Sequence, residues 1–223
     1  MAKSIKNPSY FYRNSLTIVF TSLFLITLLA QALTGWHEHN SEMAELGAAE
    51  LSLYEYLSSG HFISATFENF ESEFLQMALY VVLTIFLRQK GSAESKQLEG
   101  EEEVDREPKP SKDAPWAINK GGWIARLYSS SLTIVFALLF FCSWAMHLYG
   151  SLKAHNTEQL AKHMPTETLS SYISQSEFWF DTFQNWQSEF LSVASIVFLT
   201  IYFRQKGSPE SKPVDAPHSE TGK

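Results

Sequence analysis

The sequence predicts an all-α protein: an integral membrane four-helix protein built from two tandem helical hairpins of parallel orientation. Three observations support this prediction. The chain of 223 residues repeats itself with an offset of 116, each copy contains long apolar runs without charge, and lysine and arginine are confined to a few segments. The net charge of −7 also provides no general basic surface for nucleic acid.

The internal repeat covers most of the chain. Residues 10–98 align with residues 126–214 without a gap, and 36 of the 89 aligned positions are identical. The identities are clustered, as in the segment SLTIVF, which occurs at 15–20 and again at 131–136. Two copies of this length do not form a solenoid, whose repeats are shorter and more numerous. The pattern indicates a tandem duplication of one small module.

Each module contains two apolar runs. The first runs, Ser15–Trp36 and Ser131–Gly150, carry no charged residue and have about the 20 residues that cross a hydrocarbon core of about 30 Å. The second runs, Phe74–Leu87 and Phe190–Phe203, have only 14 residues and reach that length only when each helix is extended upstream. We therefore expect four membrane helices, over about 14–36, 62–90, 127–150 and 177–206.

Two alternatives for the first run remain open. A soluble helical bundle would require charges along one face of the helix, and the run has none. A cleaved signal peptide is suggested by Lys3, Lys6 and Arg13 ahead of the run and by the small residues Ala30 and Ala32 near its end. Because the matching run of the second module is internal and must stay, the repeat argues against removal of the first.

The basic residues predict the topology. No lysine or arginine occurs between Arg13 and Arg88, and only two occur between Arg126 and Arg204. The positive-inside rule then places both termini and the linker in the cytoplasm, so that the two modules form a parallel repeat. The expected organisation is a first module at 1–97, a disordered acidic cytoplasmic linker at 98–125, a second module at 126–206 and a disordered cytoplasmic tail at 207–223.

A polar set recurs near the outer end of the second helix of each module. It predicts a paired site for a cation, a proton or a polar solute, in which Glu73 and Glu189 face each other across the pseudo-axis. In the alternative, these groups lie in water at the membrane boundary or bind a neighbouring helix. The candidate residues are Asn69, Ser72, Glu73, Asn185, Ser188 and Glu189.

The outer segments also contain histidines. His37, His39 and His155, near carboxylates, suggest a metal site, but only the pair His39 and His155 recurs in the repeat; the alternative is a solvated acidic loop. His147 lies inside an apolar run opposite Gln31 of the other copy, so ligation of haem by two histidines is unsupported. No catalytic motif occurs, and we expect neither an enzyme nor a cofactor.

The segment RQKGS ends the second helix of each module. Its basic residues suit a helix C-terminus and the inner headgroups, and its glycine suits a left-handed cap. The sequence Ser-x-Glu-Ser-Lys that follows suggests a docking surface, either between the modules or for a cytoplasmic partner. The anchor and cap residues are Arg88, Lys90, Gly91, Arg204, Lys206 and Gly207.

Several long motifs carry a resemblance to a known family. The segments ALTGWHEHN, FLRQKGSAESK and FWFDTFQNWQSEFL resemble a bacterial membrane-protein family catalogued only as a domain of unknown function. The resemblance implies the cytoplasmic membrane of a bacterium and no particular reaction. Two functions are expected from the residues: a non-catalytic interaction or scaffold component, or a small transporter or ion-conducting component. The expected partners are the lipid bilayer and a membrane or cytoplasmic protein, and a homo-oligomer is also possible.

Overall fold

The computed structural model describes residues 9–222, and within that range all regular secondary structure is helical. The predicted all-α class is therefore confirmed. Lys3 and Lys6, which contribute to the predicted topology, lie outside the described residues, as does Lys223 at the end of the predicted tail.

The long helices occur in two matching sets. Each helix of the second set begins and ends 116 positions after its counterpart in the first set. The chain begins with the short helix α1 (Tyr10–Arg13), followed by the first set: α2 (Ser15–Glu45), α3 (Leu53–Tyr56) and α4 (Gly60–Phe86). The second set is α7 (Ser131–Ala161), α8 (Leu169–Tyr172) and α9 (Ser176–Tyr202), which match α2, α3 and α4 in that order. Between the sets lie a 3₁₀ turn (Glu103–Asp105), α5 (Trp116–Lys120) and α6 (Gly122–Ser129).

The helix bounds differ from those predicted at three kinds of end. α7 begins at Ser131, four residues after the expected start, because a separate helix, α6, ends at Ser129. α2 and α7 continue about three turns past their apolar runs, to Glu45 and Ala161. α4 and α9 end four residues earlier than expected, at Phe86 and Tyr202. Apolar periodicity locates the lipid-compatible part of a helix, whereas the ends are decided by capping contacts that periodicity does not report.

Two helices among the described residues, α2 and α7, are long and apolar enough to cross a membrane. Few of the residues in their apolar stretches are buried inside the protein. α4 and α9 do not meet the same criterion, because their first halves contain several carboxylates and amides.

The chain divides into two compact units, which we describe separately. Unit 1 contains residues up to Ser64 together with 149–167, and so holds α2, α3, the start of α4 and the end of α7. Here α4 and α7 approach closely, because a Cβ on Gly150 would lie 2.5 Å from the backbone nitrogen of Ser64. The Ser64 and Ser151 hydroxyls, 2.6 Å apart, form a hydrogen bond beside it.

A repeated asparagine fixes the loop that follows each long helix of unit 1. The amide of Asn40 accepts from the backbone nitrogen of Leu51 at 2.9 Å and donates to its carbonyl at 2.8 Å. Asn156 makes the same pair of bonds with Glu167, at 2.7 and 3.0 Å. The asparagine of the His-Asn dipeptide recurs in the two copies because its side chain binds the backbone of the loop. An apolar residue could not make these bonds.

The short helices α3 and α8 are capped and anchored by tyrosine. Ser52 and Thr168 accept hydrogen bonds from the backbone of α3 and α8, respectively, at their N-termini. Tyr56 in α3 and Tyr172 in α8 are only 1% and 2% exposed, and burial raises the pKa of Tyr56 to about 12. These segments therefore pack against the protein through their tyrosines.

Unit 2 contains residues 65–148 and the chain from Thr168 onward. Its core is aromatic: Trp144 of α7 meets Phe178 of α9 edge-on with ring centres 6.2 Å apart, and Phe140 meets Trp186 at the same separation. These contacts place the first part of α7 against the first half of α9.

The RQKGS segments share one local structure. One guanidinium nitrogen of Arg88 donates to the carbonyls of Thr84, Ile85 and Leu87, and Arg204 repeats this pattern 116 positions later. The arginine side chain therefore takes up the last carbonyls of the helix and ends it. Gly91 and Gly207 have the positive φ predicted for them, +85° each, but lie in the turn beyond the helix end rather than at the cap itself.

The first RQKGS loop packs against the second module within unit 2. Ser92 is fully buried, and its hydroxyl lies 3.1 Å from that of Thr200 in α9. Lys212 is 1% exposed, and its ammonium donates to the carbonyls of Gly91 at 2.5 Å and Glu220 at 2.6 Å, with Pro217 and His218 at 3.2 and 3.3 Å. Of the two docking alternatives for this segment, these contacts match the one between the modules.

The predicted disorder of the linker and tail stays a prediction, but both segments make defined contacts. Asp105 of the linker forms an ion pair with Lys96 at the end of the first module, which lowers the pKa of the Asp105 carboxyl. In the tail, the amide of Gly91 donates to the hydroxyl of Thr221 at 2.9 Å. The tail therefore returns to the first RQKGS loop and is folded around the Lys212 ammonium.

Replacing Lys212 with methionine should release the tail. The variant Lys212→Met keeps the length of the side chain but removes the donor to four carbonyls, so residues 213–222 should exchange amide hydrogen faster and be cut sooner by protease. The exposed Lys206, replaced in the same way, is the control and should leave the tail unchanged. Equal protection of the tail in both variants would show that Lys212 does not hold it.

Candidate functional site

The predicted acid pair comes together between α4 and α9. The carboxyl groups of Glu73 and Glu189 lie near enough for their charges to interact. Glu73 is exposed and Glu189 is half-buried, so the pair sits at the surface of unit 2 rather than in its core. Two carboxylates this near each other repel when both are ionised.

The other four members of the predicted polar set do not join this pair. Asn69 is exposed and donates to the carbonyl of Ala65 at 2.7 Å, one turn before it in the same helix. Ser72 is buried and donates to the carbonyl of Asn69 at 2.9 Å, and Ser188 makes the matching bond to Asn185 at 2.8 Å. The two serines therefore satisfy their own helix backbone, as a structural role requires.

Gln76 provides a direct link between the modules. It is 9% exposed, and its amide donates to the carbonyl of Glu189 at 3.0 Å and to the hydroxyl of Ser192 at 2.7 Å. Ser192 is the residue that matches Gln76 in the repeat. The two copies thus meet at the same position, where one supplies a long donor and the other a short acceptor.

A second polar group in unit 2 is more deeply buried than the acid pair. Glu71 of α4 and His147 of α7 are both 0% exposed, and His147 Nδ1 lies 3.1 Å from Glu71 Oε2. The separation is that of an ion pair, although the two atoms are not aligned as a hydrogen bond. Trp186 of α9 donates through Nε1 to the other carboxylate oxygen, Glu71 Oε1, at 3.3 Å.

Two further carboxylates stand beside the buried pair. Glu68 lies near enough to His147, Glu71 and Asp181 for their charges to interact. The charge of Asp181 also interacts with that of His147. Both are half-buried, and Glu68 accepts a hydrogen bond from the amide of Asn185. We call Glu68, Glu71, His147 and Asp181 the acid–histidine cluster.

Two buried polar atoms, one in this cluster and one on the neighbouring stripe of α9, have no hydrogen-bond partner among the described residues. His147 Nε2 is buried without a hydrogen bond, as is the hydroxyl of Thr182, which is 0% exposed. Thr182 stands on α9 between Phe178, whose ring lies 4.9 Å from the imidazole, and Trp186, which binds Glu71. The threonine therefore belongs to the stripe of α9 that covers the Glu71–His147 pair.

Glu71 and His147 are not among the residues that the two copies of the repeat share, so a search for shared residues does not find them. Glu71 corresponds to Gln187 in the second copy, and His147 corresponds to Gln31 in the first. The signal that could have found the pair is a difference: each copy has an amide at one of the two positions and a titratable group at the other. The two titratable groups are the ones that meet in unit 2.

The three histidines proposed as metal ligands have separate surroundings. His37 is exposed beside the ring of Trp36, whereas His39 is 6% exposed and stacks on His61 with ring centres 5.1 Å apart. His155 Nε2 lies 3.5 Å from a carboxylate oxygen of Glu167. Within residues 9–222 no three histidine, cysteine or acidic side chains are grouped as metal ligands would be.

A groove of about 360 Å³ lies between the later parts of α4 and α9. Its walls are mainly apolar, from Leu79 and Leu83 on one side to Val193 and Val197 on the other. At one end the hydroxyl of Tyr80 donates to Glu94 at 2.5 Å, and this end carries the polar groups of the groove.

Comparisons with known proteins give one match. The family model described as a domain of unknown function, DUF6766, matches residues 7–223. The resemblance to a family of unknown function is therefore confirmed. No curated protein and no solved structure matches the chain.

Removing one member of the buried pair should destabilise the protein, and removing both should restore most of the loss. Glu71→Gln leaves His147 without its carboxylate, and losing one partner of a buried pair costs about 3–5 kcal/mol, less where the imidazole can stay neutral. Glu71→Gln with His147→Gln should fall within about 1 kcal/mol of the original protein, because the repeat carries amides at both matching positions. Thermal unfolding in detergent micelles measures both effects, and additive losses would contradict the pairing.

Proposed function

The chain belongs to the DUF6766 family, and from this premise we propose that it is a four-span membrane protein and a non-catalytic interaction or scaffold component of the bacterial cytoplasmic membrane. The proposal includes a tandem duplication, in which α2 and α4 form one hairpin and α7 and α9 form the other. It is supported by the helix bounds, which repeat at the offset of the sequence identities.

One observation carries the membrane placement: the apolar surface of α2 is exposed on every side. At 100° per residue, Leu16, Phe24, Leu25 and Ile26 point in four different directions, and they are 73%, 45%, 56% and 64% exposed. A soluble helix exposes such residues on one side at most, because large apolar patches in water promote association. Hydrocarbon accepts this surface without cost.

α9 shares this property although it contains polar residues in its first half. Leu191, Phe198 and Leu199 in its second half are exposed by 67%, 57% and 45%. A helix of 27 residues is about 40 Å long, which is enough to cross the hydrocarbon with its polar first turns outside. We extend the same reasoning to α4, which has the same length and ends at the same arginine motif.

Aromatic residues precede both candidate spans. In α1, Tyr10 and Phe11 are 73% and 74% exposed just before α2, and in α6 Trp123 is 74% exposed just before α7. Exposed aromatic side chains at this place are typical of helices that lie at the membrane interface. Together with the basic residues, they support a cytoplasmic location for the start of both hairpins.

The acid pair Glu73–Glu189 supports one of the two expected functions over the other. It lies at the surface, and the groove between α4 and α9 begins at Gln76 without including either carboxylate. A surface position favours contact with a membrane partner over passage of a solute. A transport or ion-conducting component remains the second candidate, favoured by the close approach of the two carboxyl groups near the middle of the proposed spans.

Cysteine labelling tests the topology. After replacement of Cys142, the only cysteine, by serine, single cysteines are introduced at the exposed positions Tyr54, Thr166 and Glu101. We expect an impermeant thiol reagent added to intact bacterial cells to label Tyr54→Cys and Thr166→Cys, and to label Glu101→Cys only after lysis. Opposite accessibility of positions 54 and 166 would contradict the parallel repeat.

Ion flux separates the two candidate functions. If the protein is a scaffold, liposomes that contain it should conduct protons and monovalent cations no faster than empty liposomes, and Glu73→Gln with Glu189→Gln should change nothing. The repeated acids Glu42 and Glu158 provide the matched control pair for the same substitution. A flux that the first double substitution abolishes and the second retains would favour the transport function instead.

A further inference from the structure

We propose that Glu71 and His147 form a proton-binding site, and that Glu68 and Asp181 connect this site to the water outside the membrane. The inference goes beyond the proposed function, because neither carboxylate of the acid pair Glu73–Glu189 takes part. It rests on the proposed membrane placement for the depth of the carboxylates and for the side from which protons arrive.

The first argument is the charge of the acid–histidine cluster. Glu71 contacts the imidazole, and Glu68 and Asp181 lie near enough for their charges to interact with it. The two helices that carry these carboxylates, α4 and α9, contain no lysine or arginine. α7 contains one basic residue, Lys153, which donates to the carbonyl of Ser58 in unit 1. With every acid ionised and the imidazole neutral, the cluster would hold three negative charges, and a low-dielectric interior does not support such a charge without compensation.

The second argument is the set of polar atoms left without partners. His147 Nε2 and the Thr182 hydroxyl are wholly buried and unpaired among the described residues, and His147 Nδ1 faces Glu71 without a hydrogen bond. Buried polar groups in native proteins are nearly always satisfied, and a proton gives the imidazole nitrogen that faces Glu71 a hydrogen to donate. A proton on the imidazole converts the 3.1 Å contact with Glu71 into a charge-assisted interaction.

The third argument is a gradient of depth. Counted from the inner end of α4 at Phe86, Glu71 lies about 22 Å along the helix and Glu68 about 27 Å. Asp181 lies about 32 Å from the inner end of α9 at Tyr202. With a hydrocarbon core of about 30 Å, Asp181 reaches the outer boundary, Glu68 lies just below it and Glu71 lies deeper. The burial follows the same order, since the two outer carboxylates are half-buried and the Glu71–His147 pair is fully buried.

The chemistry of the step is a simple transfer. A hydronium ion at the outer boundary gives its proton to the carboxylate of Asp181 or Glu68 and leaves as water. The proton passes to the lone pair of the His147 imidazole, which restores the outer carboxylate, and the charge of the Glu71–His147 pair rises from −1 to zero. The imidazolium is then held by the Glu71 carboxylate, which Trp186 keeps in place through the hydrogen bond to Glu71 Oε1.

A metal cation is the competing occupant, and the geometry does not favour it. Within residues 9–222 no three of these side chains converge as metal ligands. Hard cations need several oxygen ligands at about 2.0–2.6 Å, whereas a proton needs only one lone pair and one counter-ion. The Glu71–His147 pair provides the second arrangement.

Nitrogen-15 NMR of the purified full-length protein in detergent micelles tests the proposal. The protein is labelled at histidine, which occurs seven times, and the His147 signals are identified by their absence in His147→Gln. We expect these signals to change from the neutral to the protonated form as the pH falls from mildly alkaline to mildly acidic, and to stay neutral over the same range in Glu71→Gln. Glu73→Gln with Glu189→Gln is the control and should leave the titration of His147 unchanged.

Total proton uptake is a second measurement, and it does not require the single variant Glu71→Gln to fold. Over the same range the original protein should take up about one proton per chain more than Glu71→Gln with His147→Gln, whose helical content confirms that it is folded. His147 signals that do not change with pH, or that titrate identically in Glu71→Gln, would overturn the proposal. Signals that respond to added sodium, potassium or magnesium at constant pH would replace the proton by a cation. Micelles contain no membrane sides, so these results are independent of the topology experiment.

Discussion

The contact between Glu71 and His147 is the interaction that constrains the packing of α4, α7 and α9. Neither residue can face lipid or an apolar neighbour at low cost, so each helix must keep the register that brings the two together. α9 then fits over the pair through Phe178 and Trp186, and the aromatic contacts with α7 extend the same register. Apolar side chains alone would allow these helices to slide, since hydrocarbon and leucine are nearly equivalent surroundings.

The residues that the two modules share act mostly on backbone. Asn40 and Asn156 clamp a loop, Arg88 and Arg204 end a helix, and Ser72 and Ser188 bind carbonyls in their own helices. A side chain that binds a particular backbone atom cannot change its length or its polarity without changing the local structure. The apolar middles of the helices have no such requirement, and there the two copies have diverged. The residues that are identical in the two modules therefore maintain local backbone structure rather than a shared chemical site.

The sequence predicts those features of the fold that local patterns determine. The all-α class and the starts of α2 and α7 follow from uncharged runs, and the positive φ of Gly91 follows from its place in a turn. The ends of α4 and α9 could not be predicted, because an arginine two residues beyond the helix takes up the last carbonyls. The repeat led to the expectation that Glu73 and Glu189 lie close together. The contact between Glu71 and His147 joins positions 76 residues apart that differ between the copies, so no local pattern contains it.

The difference between the two copies at the positions of Glu71 and His147 indicates the role of this buried pair. Gln31 and Gln187 occupy the matching positions of the other copy, so a module of this shape can be built with amides at both places. Amides would satisfy the packing without placing charge in a low-dielectric interior, and a charged pair is at best neutral for stability against such a replacement. A glutamate and a histidine differ from two amides chiefly in that they exchange protons. Packing therefore does not account for the acid–histidine cluster, whereas proton binding does.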